Sequence, residues 1–189
     1  MSDERRPGRP LLPKERPPER DKGDIVQLCG FRVGDDEYAL GIERIKEIIP
    51  PQPLRRVPKA PTFVEGVIEL RGQIIPIIDM RKRFEVPPHT PEELEDHAIR
   101  RARKYLIVPI DDRHYVGLVV DRVSDVLRVQ RDTVRPPPPL TQNENSRYFA
   151  GVCKHRDRIL MVLALDTLLS SAEKSNLATL SRGTKGASS

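Results

Sequence analysis

Tryptophan is missing from this 189-residue chain, and Phe and Tyr supply only four residues each. A core without large aromatic rings must be filled by Val, Ile and Leu, two of which favour strands through branching at Cβ. Cysteine is scarcer still. Cys29 and Cys153 both sit in apolar stretches, and they are expected to be small buried hydrophobes in a reducing compartment rather than a disulfide. No stretch approaches the roughly eighteen uninterrupted apolar residues of a membrane span, and the N-terminus lacks the apolar core of a signal peptide. Both absences predict a soluble, cytoplasmic chain. Proline, in contrast, is plentiful: 19 residues are too many for a helical bundle of this length, since each one inside a helix removes a donor and clashes with the preceding turn.

The net charge of +5 raises the possibility of a nucleic-acid partner, so its location matters. Residues 1–23 hold seven Lys or Arg against five acids, and residues 174–189 hold three with no acid, which leaves 23 of each sign over 24–173. A formally neutral folded part offers no electrostatic track for a phosphate backbone, and it lacks aromatics for base stacking. Residues 1–23, rich in Pro, Arg, Lys and Glu, cannot offset their ordering entropy by burial and are expected to be disordered. A flexible tail is expected over 173–189.

Between the tails, short apolar runs alternate with turn residues, the pattern of a sheet. The predicted strands are Ile25–Val33, Glu37–Ile42, Glu65–Leu70, Gln73–Ile78, Tyr105–Ile110, His114–Val120, Gly151–His155 and Arg158–Leu163. Turns at Gly34–Asp36, Arg71–Gly72, Asp111–Asp112 and Arg156–Asp157 separate them. One exposed linker helix is expected over Pro91–Lys104, with Thr90 as its cap, acids in its first turn and arginines in its last.

The chain also repeats itself. Asp35, Asp36, Glu37, Tyr38, Gly41 and Ile42 recur as Asp111, Asp112, Arg113, Tyr115, Gly117 and Leu118. Arg44–Ile48 recurs as Arg122–Val126 at an offset of 78, and Gly66, Val67, Arg71, Ile74 and Ile77 recur as Gly151, Val152, Arg156, Ile159 and Val162 at an offset of 85. Any two Gly-bounded hairpins look somewhat alike, but two ordered blocks point to a duplication. The expected fold is all-β, a pair of small barrels of about five strands each, which would hide their edges by closing.

Catalytic chemistry finds little support. His89, His97, His114 and His155 have no metal-ligand spacing, and neither a phosphate-binding glycine loop nor a Gly-x-Ser-x-Gly elbow occurs. Asp79, Asp121 and Asp125 could form a paired-carboxylate site, yet such residues more often end strands. No enzyme activity, metal or cofactor is expected. Ile45, Glu47 and Ile48, with Val123, Asp125 and Val126 in the second copy, instead mix apolar and acidic groups as a protein interface does.

The run Val64–Gly72 followed by Ile75–Met80, and the later run Gly117–Leu127, resemble the two signatures of CheW-like domains. The resemblance covers about residues 24–172, with a charged linker near 87–104. It implies two packed SH3-like five-stranded barrels and a non-enzymatic adaptor that joins the cytoplasmic hairpin tip of chemoreceptors to the regulatory domain of a CheA-type histidine kinase. Membranes would be met only through receptors. By motif, Ile45, Glu47 and Val126 would line a receptor-facing groove between the barrels, and Arg71 and Gly72 would lie near the same partner surfaces. Arg71 has a plainer reading as a turn residue bracing carbonyls. A duplicated unit has two similar faces, which suits assembly into rings or arrays. The rival readings are a CheW-like scaffold of another pathway, a module fused to a receiver and a nucleic-acid-binding barrel. Glu69, where the family carries Asn, departs from the pattern, as do the N-terminal extension and the linker.

Overall fold

The structure is a computed structural model that describes residues 24–137 and 144–182; the expected disorder of residues 1–23 lies outside them. Ten strands run in chain order: β1 Ile25–Val33, β2 Asp36–Gly41, β3 Glu47–Ile49, β4 Val64–Leu70, β5 Gln73–Asp79, β6 Lys104–Pro109, β7 Tyr115–Val120, β8 Arg122–Gln130, β9 Phe149–His155 and β10 Arg158–Leu163. The eight predicted strands are present within one or two residues of their expected ends. β3 and β8 are additional, both drawn from the repeated Arg44–Ile48 and Arg122–Val126 blocks.

The strands form two five-stranded sheets, ordered β8-β1-β2-β10-β9 and β3-β6-β7-β5-β4. Exchanging β1–β5 for β6–β10 turns one order into the other, which is the duplication seen in three dimensions. The halves of the chain are nevertheless not the structural units. Each half gives its first two strands to one sheet and its last three to the other, so the expectation of one barrel per half is corrected. The crossovers that achieve this are parallel pairs, β2 with β10 and β5 with β7. Their registers, Ala39 opposite Val162 and Gly117 opposite Ile77, also correct the alignment of the repeat: Ala39, not Gly41, corresponds to Gly117.

Both copies carry the same bulge. The register slips between Val64 and Gly66 in β4 and between Phe149 and Gly151 in β9. Beside each bulge a loop residue bridges to the strand, Arg55 to Val67 and Arg135 to Val152. These bridges bring backbone so near that a Cβ on Gly66 would lie 2.6 Å from the Arg55 carbonyl oxygen, and one on Gly151 would lie 2.5 Å from that of Arg135. Gly66→Ala or Gly151→Ala should therefore each cost about 1–3 kcal/mol through a forced backbone shift. Thermal melts of the two variants should fall together; an unchanged melting temperature for either would show that its bridge is dispensable.

Three buried clusters divide the interior. One belongs to the first sheet (Leu28, Ala39, Leu127, Val129, Cys153, Leu160, Val162) and one to the second (Ile49, Ile68, Ile75, Ile77, Tyr105, Ile107, Val119). The largest joins the sheets to each other, with Phe31, Tyr38, Leu40, Ile78, Leu106, Leu118 and Phe84 among its members. Cys29 and Cys153 are buried free thiols.

Among the described residues, five α-helices accompany the strands, with short 3-10 turns besides: α1 Met80–Arg83, α2 Pro91–Glu95, α3 His97–Ala102, α4 Leu165–Leu168 and α5 Ser171–Arg182. The single helix expected over Pro91–Lys104 is broken at Asp96, whose extended backbone ends α2 and whose carboxylate caps α3 through the Ala98 N–H at 2.7 Å. Lys104 already belongs to β6. The expected flexible tail is corrected more sharply: α5 packs against β5, and Leu177 within it has no solvent exposure. Residues 183–189 lie outside the described part.

Candidate partner-binding surface

β3 and β4 stand at opposite edges of the second sheet, yet Glu47 on β3 is met by Arg71 from the turn that follows β4. Arg71 Nη2 donates to Glu47 Oε2 at 3.1 Å, so this sheet curls until its edges approach. The turn that presents Arg71 has both Arg71 (φ 52°) and Gly72 (φ 76°) in the left-handed region, the geometry that joins two twisted strands in a two-residue hairpin. Glycine adopts it without strain and arginine does not; the Arg71 side chain pairs with Glu47. With Arg71 largely exposed, the pair contributes at most about 1 kcal/mol to stability; its guanidinium keeps donors free.

The repeat assigns partners to the remaining residues. Ile45 corresponds to Val123, and both are half-buried against the inter-sheet core. Ile48 corresponds to Val126, and these two stand out, 42% and 51% exposed on β3 and β8. Each is an apolar side chain on the edge strand of its own sheet. The five sequence-predicted residues thus separate: Glu47, Arg71 and Gly72 adjoin one another, Ile45 belongs chiefly to packing, and Val126 is an exposed apolar side chain on the other sheet. Ile48, read from sequence as part of the mixed apolar and acidic strip, was absent from the set implied by motif, although the offset of 78 that marks Val126 also marks it.

The three aspartates do not form a paired-carboxylate site. Asp79 caps α1 through the Arg81 N–H at 2.8 Å. Its carboxylate faces Glu65, whose carboxyl is pushed above the usual range by burial and then by the charge of Asp79. Asp125 is exposed on β8. Asp121 is the hub: it accepts from Gly34 N at 2.7 Å, from Arg81 Nε at 3.0 Å and meets His89 Nε2 at 3.0 Å. Burial pushes the Asp121 carboxyl up, but the Arg81 hydrogen bond and charge, the Gly34 N–H and His89 together hold it below the ordinary aspartate range. His89 Nδ1 also meets Glu93 Oε2 at 3.1 Å, and Glu93 closes a reciprocal cap with Thr90. The charged linker is in this way pinned to the start of β8.

Among the described residues, no cluster of His, Cys, Asp or Glu could hold a metal, and no helix is long and apolar enough to cross a membrane.

The chain matches the family model of the CheW-like domain over residues 27–173. It is 33% identical over 171 residues, 90% of its own length and 98% of the other, to the chemotaxis protein CheW of Treponema pallidum. To the chemotaxis protein CheW of Helicobacter pylori it is 32% identical over 152 residues, 80% of this chain and 86% of that one. The crystal structure of the scaffolding protein TtCheW from Thermoanaerobacter tengcongensis superposes with a TM-score of 0.68 at 26% identity, covering 85% of this chain and 96% of that one. Both signatures, the bulge pair and all ten strands save the first two residues of β1 lie inside the matched span, and the chain belongs to the CheW-like domain family.

Proposed function

We propose that this protein is a non-enzymatic chemotaxis adaptor that couples chemoreceptors to a CheA-type histidine kinase. The observation that carries the reading is the extent of the match, which takes in 90% of this chain and 98% of a chemotaxis protein CheW. The residues proposed to touch partners are Glu47, Arg71, Gly72 and Val126, with Ile45 shaping the surface from behind and Ile48 joining Val126 as an apolar anchor. Edge strands bearing exposed Ile48 and Val126 suit the apolar stripe of a helical receptor hairpin, and the Glu47–Arg71 pair supplies rim charge that sets orientation. The kinase would be met through its own CheW-like regulatory domain, and the two similar sheets would let contacts propagate into rings or arrays beneath receptors.

The test is Val126→Asp. Half exposed, this position should tolerate the change with about 0.5 kcal/mol or less of lost stability. A carboxylate facing an apolar contact should weaken capture of receptor cytoplasmic fragments by about tenfold or more if Val126 is an anchor. Unchanged capture by the folded variant would remove Val126 from the surface, and failure of the native chain to join receptor and kinase in one complex would remove the adaptor reading.

A further inference from the structure

The linker between the two halves carries its charge in two blocks. Within α2, Glu92 and Glu95 are exposed and pair with no base among the described residues, and Leu94 stands 40% exposed beside them. Within α3, Arg100 and Arg101 are exposed, and their side chains pair with no acid among the described residues. A shallow concavity is lined by His97, Arg100, Arg101 and Lys104 on one side and by Pro50 and Pro51 on the other, with no acidic residue in its wall.

The linker therefore places an acidic, apolar-tipped helix beside a cationic hollow whose far wall is Pro50 and Pro51. The extended backbone at Asp96 turns α2 away from α3, so the two blocks do not neutralise each other along a single helix. The His89 links to Asp121 and Glu93, and the cap at Thr90, hold the segment in place.

We infer that α2 and α3 form a self-complementary docking surface whose occupant is a second copy of this chain. A two-fold axis near the junction of Asp96 and His97 sets Glu92 and Glu95 of each copy against Arg100 and Arg101 of the other, with Leu94 against Pro50 and Pro51. One patch serves both protomers, as an isologous contact requires, and each ion-pair set occurs twice. Charge complementarity selects this occupant: the hollow needs an acidic segment with an apolar tip, and the chain presents one beside it. The contact uses neither Glu47, Arg71 nor Val126, so it stands or falls apart from the adaptor reading.

The test is light scattering of the full-length chain across a concentration series into the millimolar range. The weight-average mass should rise toward that of a dimer, and the rise should weaken between about 0.05 M and about 0.5 M salt as the Debye length shrinks from roughly 14 Å to roughly 4 Å. The double variants Arg100→Glu/Arg101→Glu and Glu92→Lys/Glu95→Lys should each stay monomeric while melting near the native temperature. Mixed in equal amounts they should associate again, because acid then faces base at both contacts. A native chain that remains monomeric at low salt overturns the inference, as does a mixture that fails to associate, or a double variant that dimerises as well as the native chain.

Discussion

Leu177→Asp is expected to lower the melting temperature by about 8 °C or more, the shift that a loss of about 4 kcal/mol produces in a domain of this size. The position looks like part of a polar tail from its neighbours, yet Leu177 is wholly enclosed in the inter-sheet cluster. A carboxylate there would have no partner. Leu177→Ala should cost about 3 kcal/mol through the cavity alone. The helix is further fastened by Arg83, whose guanidinium donates to the Leu168 carbonyl at 3.0 Å, meets Glu173 Oε1 at 2.8 Å and lies over the rings of Phe63 and Tyr148 at 4.6 and 4.9 Å. Ser170 caps the same end by exchanging hydrogen bonds with Glu173. Melts of both Leu177 variants, followed by far-ultraviolet circular dichroism, check the point. A change of under about 2 °C for the aspartate variant would return 173–182 to the status of a tail.

Asp121→Ala should be comparably costly, about 3–5 kcal/mol at neutral pH. It strands the largely buried Arg81 guanidinium and the Gly34 N–H, and it frees the linker at His89. The native contribution has a definite pH dependence. Because the Asp121 carboxyl is held below its ordinary range in the folded state, its stabilisation is fully present above the unfolded aspartate pKa of about 3.9 and is lost as pH falls through the lower folded value. Native and variant stabilities measured by urea denaturation should therefore differ by a constant amount near neutrality and converge in acid. A gap that stayed constant well below pH 4 would mean that Asp121 acts through packing and not through its charge.

Strands with uninterrupted Val, Ile and Leu were legible in the sequence because burial on both faces demands such runs. β8 was not, since Asp125, Val126 and Arg128 are exposed and a register shift against Cys29 and Phe31 of its partner β1 breaks the alternation. The final helix escaped notice because Leu177, Ala178 and Leu180 are diluted by polar residues and followed by a Gly- and Ser-rich end. The exchange of strands between halves left no local trace at all: the pairing of β2 with β10 joins residues more than a hundred positions apart, and neither strand announces its neighbour. For the surface, motif and repeat marked Glu47, Arg71 and Val126. That Ile45 would pack inward from the turn before β3 while Ile48 stood out on β3 was hidden, because β3 is only three residues long and its alternation is too brief to read. The role of Asp121 was equally hidden, because its partners Gly34, Arg81 and His89 come from three separate segments.

The exchange of strands has a consequence for how the chain comes off the ribosome. β1 and β2 are complete by Gly41, but their sheet cannot finish until β10, which begins at Arg158, has emerged. At about 5–20 residues per second, the wait is roughly ten seconds. During it β2 presents an unpaired edge, while the second sheet, whose last strand to be made is β7, can already close. The order of synthesis thus makes the second sheet the platform on which the first is assembled, and it leaves the nascent chain open to strand exchange with a neighbour on the same message.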